Sequence, residues 1–169
     1  HAIGNNAFEG CTSLTTVTAE EDYSTTLADA PYAMIGANAF KDCVNLKYFE
    51  VMGGIGDTGT VASTLIYSLP NGAIGSKAFE NCTKLEEVVF PDTIVPYAYV
   101  SISDDAFNGC SSLAKINLPE DKIKKIGERA FKGTALASVR LTCGAVGSEA
   151  FADCSKLASV EIEANRANM

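Results

Sequence analysis

The chain has 169 residues, 47% of them hydrophobic and 20% charged, which fits one globular domain rather than a disordered segment. With 13 basic against 21 acidic residues the net charge is −8, which argues against nucleic acid as a partner, because neutralising phosphates takes clustered Lys and Arg. Apolar runs such as Ile94 to Ile102 are too short to span a bilayer and are broken by Pro96, so no membrane insertion is expected.

Read in chain order, one phrase returns six times: (Ile/Val)-Gly-x-x-Ala-Phe-x-x-Cys-x-x-Leu-x-x-Val-x-Leu. The first copy is Ile3-Gly4, Ala7-Phe8, Cys11, Leu14, Val17, and the second is Ile35-Gly36, Ala39-Phe40, Cys43, Leu46, Phe49, Val51. Ile74-Gly75, Ala78-Phe79, Cys82, Leu85, Val88, Phe90 form the third. In the fourth, Ile102, Ala106-Phe107, Cys110, Leu113, Ile116, Leu118, the glycine is replaced by Ser103. The fifth, Ile126-Gly127, Ala130-Phe131, Leu136, Val139, Leu141, is one residue short, with Gly133-Thr134-Ala135 replacing the segment that elsewhere holds the cysteine. The sixth is Val146-Gly147, Ala150-Phe151, Cys154, Leu157, Val160, Ile162.

An internal period of this size is the signature of a solenoid, one coil per copy, whose cores span about 3–19, 35–51, 74–90, 102–118, 126–141 and 146–162. Within a coil, Val-x-Leu alternates like a short strand, and copies of it stack in parallel. Ala-Phe-x-x-Cys-x-x-Leu has the three-residue spacing of a helical or 3-10 turn on the opposite side, and the preceding glycine suggests a tight bend. Phe, Cys, Leu, Val and Leu then form buried ladders along one domain, 1–169.

The phrase resembles the BspA-like, or Treponema pallidum-type, leucine-rich repeat, on the strength of Gly, Ala-Phe, Cys, Leu and Val recurring in register. The resemblance implies a leucine-rich repeat solenoid, and a noncatalytic, secreted or surface-anchored protein that acts in adhesion or protein binding. A protein or a surface glycan is the partner it implies, and an extracellular or cell-surface location follows from the same source. The alternative reading is a structural spacer or subunit packed in a larger assembly.

Several features compete with this reading. Six cysteines invite a disulfide framework, but five of them (Cys11, Cys43, Cys82, Cys110, Cys154) share one repeat position between buried Phe and Leu, and read as small inward hydrophobes. Only Cys143 breaks the register. Gly54-Ile55-Gly56-Asp57-Thr58-Gly59 satisfies G-x-G-x-x-G, yet a dinucleotide site needs a βαβ unit, and here Ile74-Gly75 resumes the repeat. No cofactor is expected. The one histidine, His1, is terminal, so neither a Ser-His-Asp nor a Cys-His set can form, and no catalytic residues are assigned. Nothing resembles paired C-x-x-C, and Glu20-Glu21-Asp22 and Asp104-Asp105 read as solvated acidic pairs, so no metal ligands are assigned either. The sequon Asn81-Cys82-Thr83 has a ladder cysteine at its centre, which disfavours glycosylation.

Function is left to the outward side chains of the strands. Eight residues after each Phe stand Thr16, Tyr48, Glu87, Lys115 and Ser159, with Ser138 in the short copy; two further on stand Thr18, Glu50, Val89, Asn117 and Glu161, with Arg140. The candidate protein-binding face is therefore Tyr48, Glu50, Glu87, Val89, Lys115, Asn117, Arg140 and Glu161, with Tyr48 as the leading anchor and Arg140 next. Phe-to-Phe spacings of 32, 39, 28, 24 and 20 place long insertions at Glu20 to Met34 and Met52 to Ala73, a second candidate surface. The chain enters its first repeat within two residues of His1 and shows no dedicated cap, so it reads as a fragment or processed product. Further repeats or a partner are expected to cover its ends.

Overall fold

The computed structural model describes residues 2–21, 34–53, 74–89, 100–117, 123–141 and 144–162. The insertions over 22–33 and 54–73, which include the glycine-rich motif, lie outside these residues, as do Cys143, Phe90 and Leu118. Eleven strands follow in order: β1 (Ala2–Ile3), β2 (Thr16–Glu21), β3 (Met34–Ile35), β4 (Tyr48–Gly53), β5 (Glu87–Val89), β6 (Val100–Ile102), β7 (Lys115–Ile116), β8 (Ile123–Ile126), β9 (Ser138–Leu141), β10 (Ala145–Val146) and β11 (Ser159–Ile162).

All pairings are parallel, and they form ladders on two sides of a solenoid. On the front, β2, β4, β5 and β7 make a four-stranded sheet, and β9 and β11 a separate pair. On the back, β1 joins β3, Ile35 bridges to Ile74, Ile74 bridges to Ile102, and β6, β8 and β10 continue the line. The expected strand is the front one. The (Ile/Val)-Gly step is a second ladder, so each coil closes on two parallel sheets.

The Ala-Phe segment between them is neither helix nor plain loop. In the second coil the amides of Ala39, Lys41 and Cys43 bond the carbonyls three residues back, those of Gly36, Asn38 and Phe40. The intervening amides of Asn38, Phe40 and Asp42 bond Ser76, Ala78 and Glu80 of the next coil. Alternate N–H groups thus turn the chain and tie it to its neighbour, which accounts for each donor in the segment. This alternation depends on left-handed backbone two residues before and two after each Phe. The first site holds Asn6, Asn38, Lys77, Asp105, Arg129 and Glu149, and the second holds Gly10, Asp42, Asn81, Gly109, Gly133 and Asp153. Two left-handed residues per coil stop the i→i+3 turns from propagating into a helix.

The repeat glycines have a different task from the bend expected of them. None of Gly36, Gly75, Gly127 and Gly147 is left-handed; instead, an added Cβ at each would lie 2.5–2.6 Å from backbone atoms of the preceding coil. Close approach of coil to coil is what excludes a side chain there. Ser103 shows the consequence of having one. Its N–H reaches the Ile74 carbonyl at 3.0 Å, against 2.7–2.8 Å for the four glycines.

The buried Phe40, Phe79, Phe107 and Phe131, with the exposed Phe8 and the partly buried Phe151 at the two ends, stack ring on ring at 5.1–5.2 Å with planes within 11°. Phe49 sets its edge against Phe40 and Phe79. Such pairs add about 0.5–1.5 kcal/mol each beyond the burial of their surface. The ladder cysteines are free thiols, as the repeat register requires, and the central ones are buried. Their burial has a polar element as well. Cys43, Cys82, Cys110 and Cys154 each donate to the carbonyl of the preceding coil's Phe, at 3.0–3.1 Å. Cys11 differs, being exposed on the first coil. Burial pushes the Cys43 thiol up from the usual 9.0 to about 11 and raises Cys110 well above its ordinary value.

Candidate binding face

Strand pleating sends alternate residues to opposite sides. Phe49, Val88, Val139 and Leu141 point into the core, leaving the residues beside them outward. The register then brings the expected rows together: Thr16, Tyr48, Glu87 and Lys115 are successive partners across β2, β4, β5 and β7, and Thr18, Glu50 and Val89 run parallel beside them. Tyr48, Glu50, Glu87 and Val89 are half-buried, and Lys115 and Asn117 are exposed. Tyr48 and Glu50 share one side of β4, and the Tyr48 hydroxyl donates to the Glu50 carboxylate, which raises the tyrosine pKa.

Arg140 and Glu161 do not belong to this sheet. They pair with each other across β9 and β11, with Nε to Oε2 at 3.6 Å, and both remain well exposed. An ion pair this open contributes at most about 1 kcal/mol. Among the described residues no strand pairing joins β7 to β9. In the shorter fifth copy the Ala135 N–H bonds the Leu113 carbonyl at 2.9 Å.

Cross-coil polar pairs line the turn side. Asn38 donates to Asn6 at 3.2 Å, Asn81 to Asp42 at 2.9 Å, and Lys41 meets Glu80 at 3.2 Å. Lys132 donates to Glu149 at 2.6 Å, which lowers the Glu149 pKa and raises that of Lys132. The acidic pair noted in the sequence is committed to structure. Asp104 accepts the Glu128 backbone N–H at 2.9 Å, while Asp105 accepts Arg129 Nε at 2.8 Å and Nη2 at 3.2 Å. In the sequon, Cys82 is buried and Asn81 spends its amide on Asp42.

A two-ladder parallel solenoid with an Ala-Phe turn in each coil and a ladder thiol after it in five of the six defines a class of repeat protein. The model of the BspA type leucine-rich repeat region matches six copies over residues 1–59 and 72–169, and the chain belongs to that family. Its fold is similar to that of the T. pallidum leucine-rich repeat protein, at 26% identity and TM-score 0.62, over 94% of this chain and 62% of that one. A leucine-rich repeat protein from Bacteroides ovatus is 26% identical, with TM-score 0.55, over 87% of this chain and 35% of that one. A leucine rich cell surface protein from Faecalibacterium prausnitzii shares the fold at 24% identity and TM-score 0.52, over 97% and 43%. This chain thus spans roughly a third to three fifths of the length of these solved relatives. No curated protein matches it. Among the described residues no helix is long and apolar enough to cross a membrane.

Proposed function

We propose that this domain is a noncatalytic protein-binding module of a secreted or cell-surface leucine-rich repeat protein, and that the front sheet carries recognition. The observation that carries this reading is the register of β2, β4, β5 and β7, which sets the two outward rows side by side around Tyr48. A half-buried tyrosine braced by Glu50 is a low-entropy anchor of the kind that dominates interface energetics. Arg140 and Glu161 supply a second, more exposed patch. Membership of the family, and a structural relative described as a cell surface protein, support the location and the adhesive role. The apolar outer edges of the first and last coils, with Phe8 42% and Ile162 68% exposed, are suited to receive further coils of a longer array.

The test is a binding titration of the domain against candidate surface and matrix proteins, comparing Tyr48→Ala with Arg140→Ala and with Lys84→Ala on the turn side. The proposal expects at least a tenfold loss at Tyr48, a smaller loss at Arg140 and none at Lys84. Equal affinity for the first two variants, with loss at Lys84, would move recognition to the turn side.

A further inference from the structure

Charge is spread unevenly along this chain. Residues 1–99 hold four Lys and no Arg against 12 Asp and Glu, while residues 100–169 hold nine basic and nine acidic residues. The whole net charge of −8 therefore lies in the first three coils and the stretches that follow them. A skew of this kind between the halves of a chain sets up a field that favours one class of partner.

The carboxylates of the turn side and of the front sheet differ in what they meet. On the turn side they are paired across coils: Glu80 with Lys41 at 3.2 Å, Asp105 with Arg129 at 2.8 Å, Glu149 with Lys132 at 2.6 Å. On the front, β2, β4, β5 and β7 contain Glu20, Glu21, Glu50 and Glu87 against one base, Lys115. Among the described residues neither Glu50 nor Glu87 forms an ion pair. The stretches that leave β2, β4 and β5, residues 22–33, 54–73 and 90–99, contain four aspartates and no Lys, Arg or His, so no cation comes from them.

The register sets these carboxylates around one aromatic ring. Glu87 is the partner of Tyr48 across to β5, and Glu50 stands two residues further along β4, where it accepts the Tyr48 hydroxyl. Thr16 and Thr18 continue the two rows on β2, and Lys115 follows Glu87 on β7. All of these groups are exposed or half-buried. A phenol ring with a carboxylate on each of two sides presents a cation with a π face and an ion pair together. A guanidinium suits this set best, because it is planar, stacks on an aromatic face and forks onto a carboxylate.

We infer that the front sheet over coils one to three docks a basic, arginine-bearing segment of a partner protein, with Tyr48 as its stacking platform and Glu50 and Glu87 as its ion-pair partners. The negative charge of residues 1–99 draws such a segment in, and the two rows hold it. This assignment of a basic partner rests on the front sheet being the recognition face.

Fluorescence anisotropy with a labelled short peptide of alternating Arg and Gly tests it, with a peptide of alternating Glu and Gly as the control of sign. The Arg peptide is expected to bind and the Glu peptide not to, and raised salt is expected to weaken the binding. Glu87→Gln and Tyr48→Ala should each weaken it at least about threefold. Glu9→Gln removes one exposed carboxylate from the turn of coil one and should change it by less than about twofold. An Arg peptide that does not bind, or that loses as much in Glu9→Gln as in Glu87→Gln, overturns the basic partner. In that event a loss of affinity for a surface or matrix protein in Tyr48→Ala still upholds the front sheet as the recognition face, so the two failures are told apart. Should Tyr48→Ala fail to fold, the contrast between Glu87→Gln and Glu9→Gln decides alone.

Discussion

Replacing Gly75 by alanine tests the idea that the glycines exist to let coils touch. The new Cβ would sit 2.6 Å from Ala37 N and Gly36 C and 2.8 Å from the Ile35 carbonyl oxygen, all backbone atoms that no rotamer change can move aside. Ordinary contact begins near 3.4 Å, so the coils must part by up to about 0.8 Å locally. The Gly75 N–H to Ile35 bond, now 2.7 Å, would stretch toward the limit of hydrogen bonding. Ser103 shows a milder compromise, with its bond at 3.0 Å and a bulge in β6 between Val100 and Ser101. Overpacking of this kind costs about 1–3 kcal/mol, and we expect about 2 kcal/mol for Gly75→Ala. Gly4→Ala is the control, because among the described residues nothing lies within 4 Å of its Cβ position. It is expected to be neutral or to stabilise by up to about 0.5 kcal/mol, through lost freedom of the unfolded chain. The assay is urea unfolding followed by far-UV circular dichroism, with the m-value checked for constancy. Equal destabilisation by the two variants would refute the reasoning, since it would assign the glycine a conformational rather than a contact role.

Three further outcomes follow from the same geometry. Lys77 is left-handed with φ of 59° and only a loose ion pair to Glu80, so Lys77→Asn should stabilise by about 0.5–1 kcal/mol in the same unfolding assay. The Cys43 thiol is held protonated by burial, so below its usual 9.0 folded and unfolded chains bind the same proton; between 9.0 and about 11 only the folded chain keeps it, and stability falls as pH rises. That loss is on the order of 2 kcal/mol, and the pH dependence of the urea midpoint should be shallower in Cys43→Ala. The Tyr48 hydroxyl, raised by its bond to Glu50, should titrate closer to the ordinary 10.0 in Glu50→Gln, read from tyrosine ring NMR signals.

Much of this architecture was legible because the repeat phrase fixes environment by position. Phe79 and Cys82 could be assigned to the core without any structure, since their counterparts in other copies obey the same pattern. The back ladder was not legible, because an Ile-Gly step is too short to show the alternation that marks a strand. Left-handed backbone two residues after each Phe left a trace, as every copy has Gly, Asn or Asp there. The matching position two residues before Phe left none, since Lys77, Arg129 and Glu149 give no such sign. Which outward rows bind is written nowhere in the pattern, because solvent-facing positions are free to vary while the ladders are not.

The central claim is that a ladder side chain is buried by the coils stacked on either side of it, and the cysteines test it most directly. Native, unreduced protein treated with iodoacetamide and read by peptide mass spectrometry should carry label at the exposed Cys11 and none at Cys43, Cys82 or Cys110. All four should label once the chain is denatured without reductant. Labelling of Cys82 in the native state at the rate of Cys11, or a ladder cysteine that refuses label after denaturation because it is oxidised, would contradict the stacked, free-thiol core.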